Sequence, residues 1–208
     1  MPRRIQPTSA IFKKLERLDN PEKIQDFLNK IPFNFERRGE TYRSVSNALQ
    51  AGQAHCFEGA LIAAAALQMH GHKPLLMDLR TVGTRDADHV VALFKEGKGK
   101  KERWGAISKT NHAVLRYREP VYRDVRELAM SYFHEYFLKT GEKTMRSYSK
   151  PFDLSRTKFD WLNSKEDLFD LVDALDKSPH ISVVPKGLKL RKADKIEIEA
   201  GKITEWPR

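Results

Sequence analysis

Apolar positions along the chain fall into helical spacings near the N-terminus, one continuous apolar block, and short strand-like runs after it. In residues 9–19 (SAIFKKLERLD), Ile11, Phe12, Leu15 and Leu18 recur at helical intervals, and Asn20-Pro21 stops that helix and opens another over 22–29. These N-terminal helices (9–30) read as a flap laid over a core. Polar text over 37–46 marks a loop. Residues 56–70 (CFEGALIAAAALQMH) then run small or apolar throughout from Gly59 to Leu67. A helix that is apolar all round is a buried one, and Ala supplies both helix propensity and close packing. Gly71 stands where a left-handed cap is wanted, which ends the helix at Met69 or His70.

Three strand signals follow, over 73–82 (KPLLMDLRTV), 89–94 (HVVALF) and 104–109 (WGAISK). The Gly- and Lys-rich stretch 95–103 reads as a hairpin connection, and symmetry about Lys98-Gly99 pairs Phe94 with Arg103 and His89 with Ser108. Further helices are predicted over 124–138 and over 164–176, the second with Ser164 as N-cap and Leu168, Leu171, Val172 and Leu175 on one face. Residues 139–160 lack a period and are expected to wrap the surface, while 181–184 (ISVV) and 196–198 (IEI) are short strand candidates. There is no internal repeat. The pattern predicts one α+β domain over 1–208, with a core at about 45–120 and a C-terminal extension over 121–208.

Composition narrows the function mainly by exclusion. No apolar run approaches the roughly 18 residues of a spanning helix, so no membrane partner is expected, and the start Met1-Pro2-Arg3-Arg4 leads into polar text rather than a secretory signal. A lone Cys among 208 residues forms no internal disulfide, which fits a cytoplasmic location. Lys plus Arg number 38 against 28 Asp plus Glu, a net charge of +10. The bases are dispersed over 95–103, 116–126 and 186–195, none of which forms the aromatic-interleaved platform that a nucleic acid stacks on. Solvated loops are therefore the favoured reading of the charge. His55, His70 and His72 sit at opposite ends of one helix, a poor metal site, and His70 and His72 read as favourable charges at its C-terminus. No acidic loop of calcium-binding density is present.

Chemistry concentrates at Cys56. At the head of a helix, unpaired N–H groups and the helix dipole favour thiolate over thiol. A nucleophilic Cys needs a base, and His89 opens the second strand where it could come beside the helix start; its other reading is an edge-strand imidazole capping the Asp86/Asp88 loop. The hairpin register puts Ser108 behind the imidazole, with Asn111 as a neighbouring candidate, and neither is a carboxylate. An oxyanion hole would combine the Cys56 N–H with a side-chain donor from Gln50 or Gln53, of which Gln50 is preferred.

The Cys heading an Ala-rich helix (GQAHCFEGALIAAAALQMHGHKPLLMDL), the His opening a strand (DADHVVALF) and a Trp four residues before the third position (WGAIS) resemble the transglutaminase-like superfamily, in a bacterial-type form, over residues 45–111. The resemblance implies a papain-like core, in which a buried helix bearing the nucleophile packs on an antiparallel sheet carrying the His and an Asp. It implies Cys56 as nucleophile and His89 as base, with Ser108 standing where the family has Asp. Cys-Phe-Glu at 56–58 is also similar to arylamine N-acetyltransferases, although Gly52-Gln53-Ala54-His55 replaces their Arg-Gly-Gly context. The expectation is a cysteine-dependent acyl-transfer enzyme, an amide or ester hydrolase or a transglutaminase- or peptidase-like protein. It would act on a peptide, protein or small amide or ester without metal or organic cofactor. Two rival readings stand beside it: a catalytically silent interaction module of the same fold, and a basic nucleic-acid-binding protein with Cys56 merely in its core. On the triad reading, Asp at position 108 would strengthen the thiolate.

Overall fold

In a computed structural model that describes residues 10–204, the first part of the chain forms four helices. They are α1 (Ala10–Glu16), α2 (Pro21–Lys30), α3 (Val45–Ala51) and α4 (Cys56–Met69). The tetrad Met1-Pro2-Arg3-Arg4, read above as leading into no secretory signal, lies outside the described residues. Asn20 caps α2 by accepting the Lys23 N–H at 2.8 Å, with Pro21 at the first helical position, where its missing N–H costs nothing. The expected flap is instead a wall of the core: Phe12, Leu15, Ile24 and Leu28 are buried in the same cluster as α4. All 14 residues of α4 except Cys56 are buried. Gly71 follows its end at φ +91°, as its left-handed cap position predicts. Gly59 permits a close approach, because a Cβ there would stand 2.3 Å from that of Lys109.

The sheet is antiparallel and is built from β1 (Leu75–Arg80), β2 (His89–Glu96), β3 (Arg103–Ile107), β4 (Arg118–Tyr122), β5 (Ser147–Ser149), β6 (Phe152–Asp153) and β7 (His180–Ser182). Its order is β4-β3-β2-β1-β5-β7, with β6 also on β1. Three more helices, α5 (Val125–Phe133), α6 (Phe169–Asp176) and α7 (Lys195–Gly201), make seven helices and seven strands among the described residues, an α+β chain as expected. Leu76, Val90, Ala92, Phe94 and Ile107 face α4, while Met77, Leu79, Val91, Leu93 and Ala106 face a second cluster with α5. Burial on both faces explains why β2 reads as a continuous apolar run. No helix among the described residues is long and apolar enough to cross a membrane.

Several local expectations are corrected. Residues 139–160 supply β5 and β6, which lie end to end along β1, with Lys150-Pro151 between them where Pro has no N–H for the ladder. The helix expected from Ser164 begins only at Phe169, because the Ser164 carbonyl is tied to α3 by Ser44 Oγ at 2.8 Å and Asn47 Nδ2 at 3.1 Å. The helix expected over 124–138 ends at Phe133. Residues 196–198 are helical, since Asp194 accepts the N–H groups of Ile196 and Glu197 and the Glu197 carboxylate returns to the Asp194 N–H. His72, expected as a helix-end cation, is held below its ordinary value by burial, opposed by the charge of Glu96, and is therefore neutral at pH 7.

The hairpin register also differs. Glu96 pairs with Arg103 and Ala92 with Ile107, so facing numbers sum to 199 rather than 197. A turn of 3₁₀ helix over Gly99–Lys101 lengthens the connection. Because the slip is of two residues, every side chain stays on its expected face of the sheet.

Candidate active site

The rigid, buried body of α4 sets Cys56, its first residue, at one end of the sheet. Cys56 as a residue is half-buried and lines a cleft of about 150 Å³ with His89, the first residue of β2. Burial is the largest influence on this thiol and disfavours the thiolate, yet hydrogen bonds with the side chains of His55 and then His89 outweigh it and bring the pKa down to about 5. His55, the N-cap of α4, moves the other way. Burial opposes its cationic form, but the Cys56 hydrogen bond and charge, the Glu58 carboxylate and the Thr41 carbonyl raise it to about 9. At neutral pH the site therefore holds a thiolate beside an imidazolium.

On the sheet side, His89 Nε2 lies 2.7 Å from Ser108 Oγ, and the Ser108 hydroxyl in turn donates to the Leu115 carbonyl at 2.6 Å. With its proton committed to Leu115, the Ser108 oxygen accepts from His89 Nε2–H, which fixes the tautomer and leaves Nδ1 for Cys56. Each part of this chain is braced. Gln25 of α2 clamps the Ser108 backbone from both sides, donating to its carbonyl at 2.8 Å and accepting its N–H at 3.0 Å. Leu115 sits at φ +60°, a conformation that costs a non-glycine residue roughly 1–3 kcal/mol. The Glu135 carboxylate holds it there by accepting its N–H at 2.8 Å, and Glu135 is itself paired with Arg118.

On the other side, a loop over 34–43 is moored to Glu58, which is fully buried at the third position of α4. Glu58 accepts the His55 N–H at 3.1 Å, Asn34 Nδ2 at 3.3 Å, Thr41 Oγ1 at 3.2 Å and the Arg43 N–H at 3.3 Å, and it pairs with the Arg43 guanidinium at 3.4 Å. His55 Nε2 donates to the Thr41 carbonyl at 2.6 Å, which aims its ring. No family model matches this sequence, and no curated protein does.

Of the residues singled out by sequence, the structure brings together Cys56, His89 and Ser108. His89 lies on a strand flanked by β1 and β3, and Asp88, which it was alternatively expected to cap, instead accepts the Thr81 N–H at 2.7 Å. Asn111 lines the cleft, but Ser108 is the residue on the far nitrogen of His89. Gln50 is exposed on α3, and Gln53 lines a neighbouring groove; neither lines the Cys56 cleft, so the side-chain oxyanion donor expected there is not supplied by them. The N–H groups of the first turn of α4 remain, since a helix leaves these without intrahelical partners. Asp at position 108 is now disfavoured, because it would put a carboxylate in a fully enclosed spot against the Leu115 carbonyl. Sequence reasoning missed His55 and Glu58 as site residues, although His-x-x-Glu across the helix start has the spacing of a capping box. Gln25, Leu115 and Glu135 left no local signal.

Proposed function

We propose that this chain is a cysteine-dependent acyl-transfer enzyme, an amide or ester hydrolase or an acyltransferase, on a papain-like core of the transglutaminase-like kind. The observation that carries this reading is the placement of Cys56 at the head of α4, in one cleft with His89, whose far nitrogen is held by a hydroxyl; hydrogen bonds from His55 and His89 bring the thiol down to about 5. Cys56 attacks the carbonyl carbon of the donor, and the developing oxyanion meets the N–H groups at the head of α4. His89 enters this step protonated on both ring nitrogens; it gives the Nδ1 proton to the departing amine or alcohol, leaving a thioester on Cys56 and a neutral ring that keeps its Nε2–H on Ser108. The same nitrogen then takes a proton from the incoming water or amine, whose oxygen or nitrogen bonds to the acyl carbon as the C–S bond breaks. His55 stays cationic and balances the thiolate between turnovers.

The test is acylation by p-nitrophenyl acetate. Native protein should release nitrophenolate in a burst matching the protein concentration and carry acetate on Cys56, identified by peptide mass spectrometry. His89→Ala should lose turnover, while a denatured control should show no burst. Acetate found only on lysines, with Cys56 no faster than in denatured protein, would overturn the reading.

A further inference from the structure

Beside the Cys56 cleft lies a larger open groove of about 970 Å³, formed by the segment between α2 and α3. Phe33 lines both, so the groove adjoins the thiol's cleft. Its wall carries four cations, Lys30, Arg37, Arg38 and Arg43, against one carboxylate, Glu36. Arg43 is occupied by Glu58. Lys30, Arg37 and Arg38 are exposed and form no ion pair among the described residues. Glu36 does not neutralise them: its Oε1 accepts the Thr41 N–H at 2.7 Å and stands 3.8 Å from His55 Nε2, so its charge is directed at the imidazolium.

The loop that presents these cations is built in one shape. Buried Asn34 accepts the Glu36 N–H at 3.1 Å and donates to Thr41 Oγ1 at 2.8 Å, and the chain turns through Glu36 at φ +50° and Gly39 at φ +111°. Two unpaired cations, Arg37 and Arg38, are thus held on a loop whose other bonds run directly to Glu58 and His55, next to the nucleophile, with Lys30 beside them at the end of α2. Such preorganisation lowers the ordering cost of binding an anionic ligand.

We propose that this groove is the subsite for an acidic stretch of peptide, so that the substrate is a peptide or protein segment with Asp or Glu side chains flanking the carbonyl that Cys56 attacks. This assignment rests on the acyl-transfer reading above, because it is the thiol that requires an acyl carbon at the end of the groove. A nucleic acid fits less well. Phe33 and Phe35 pack edge to face at 5.0 Å, and the Lys109 ammonium lies 6.0 Å over the Phe33 ring, leaving these rings engaged rather than open to stacking bases.

The experiment is fluorescence anisotropy of the full chain with a labelled peptide that carries Glu residues around one Gln, against the same peptide with the Glu residues replaced by Gln. An unlabelled single-stranded oligonucleotide serves as competitor. The acidic peptide should bind at least about tenfold tighter than the neutral one, lose at least about tenfold in Arg37→Glu/Arg38→Glu, and recover in Arg37→Lys/Arg38→Lys. Bound peptide should also slow iodoacetamide alkylation of Cys56. Circular dichroism confirms that the charge-reversed variant is folded. Equal affinity for the two peptides, affinity indifferent to both arginines, or Arg-dependent binding of the oligonucleotide tighter than that of the peptide would each overturn the proposal. Arg-dependent acidic-peptide binding without nitrophenyl acetate acylation would keep the groove and refute the chemistry. Acylation with no preference for acidic peptide would do the reverse.

Discussion

On the loop side of Cys56, His55 is backed by charge: Glu58 lies 3.8 Å from its Nε2, Glu36 equally near, and a carbonyl accepts its proton. On the sheet side, His89 is backed by a neutral hydroxyl whose own proton is given away, and the Glu135 carboxylate acts on that hydroxyl only through the Leu115 backbone. The difference divides two tasks that a Cys-His-Asp arrangement assigns to one imidazole. A carboxylate-supported ring stays protonated and stabilises the thiolate, whereas a ring held by a neutral acceptor is oriented without having its proton retained. The negative charge that a triad places behind its base stands in this chain behind the neighbouring imidazole.

Removing either ring breaks the comparison most directly. His89→Ala should lower kcat for an amide or ester donor by about 10²–10⁴-fold even at a pH where Cys56 is ionised, because proton delivery is lost; steady-state turnover at pH 7.5 checks this. Glu58→Ala strips the loop side of its anchor, and orphaning five buried or half-buried donors should cost about 3–5 kcal/mol by urea unfolding. Ser108→Ala leaves the His89 Nε2–H and the Leu115 carbonyl without their partner and should cost roughly 1–3 kcal/mol, with a smaller loss of kcat than His89→Ala. If Ser108→Ala proves neutral in both readouts, the two sides are not distinguished in the way argued.

The pH profile sharpens the contrast further. A thiol lowered to about 5 is ionised above that pH, so iodoacetamide alkylation should rise as pH rises through 5 and level off before 7. An unfolded cysteine keeps rising to about 8.5. His55→Ala should move the native midpoint upward and slow alkylation at pH 6 by about tenfold, while leaving the rate at pH 9 little changed. The smallest effect is expected far from both imidazoles. Lys98, Lys100 and Lys101 are exposed in the β2–β3 connection, and replacing all three with Ser should change stability by less than about 0.5 kcal/mol and leave the alkylation rate unaltered.

Legibility followed the range of the interactions. The heads of α4 and β2 were readable because period and capping are encoded within a few residues, and these are the positions of Cys56 and His89. Ser108 was reached through a register wrong by two residues, and the reading survived because side chains alternate with period two. The N-terminal helices were placed correctly along the chain but misjudged as a flap, since nothing near Gln25 announces that its amide will clamp a residue 83 positions away.

By itself, then, the sequence determined that one buried, Ala-rich helix begins at the lone thiol, that apolar strands follow it, and that a histidine opens the second of them; local spacing is sufficient for each. Only the tertiary structure decided that the His55 imidazole carries charge, what lies behind His89, and where the unpaired arginines point. Those depend on Glu58, Thr41, Leu115 and Glu135 meeting across the fold, and burial makes such long-range hydrogen bonds and charges strong enough to set the protonation of the site.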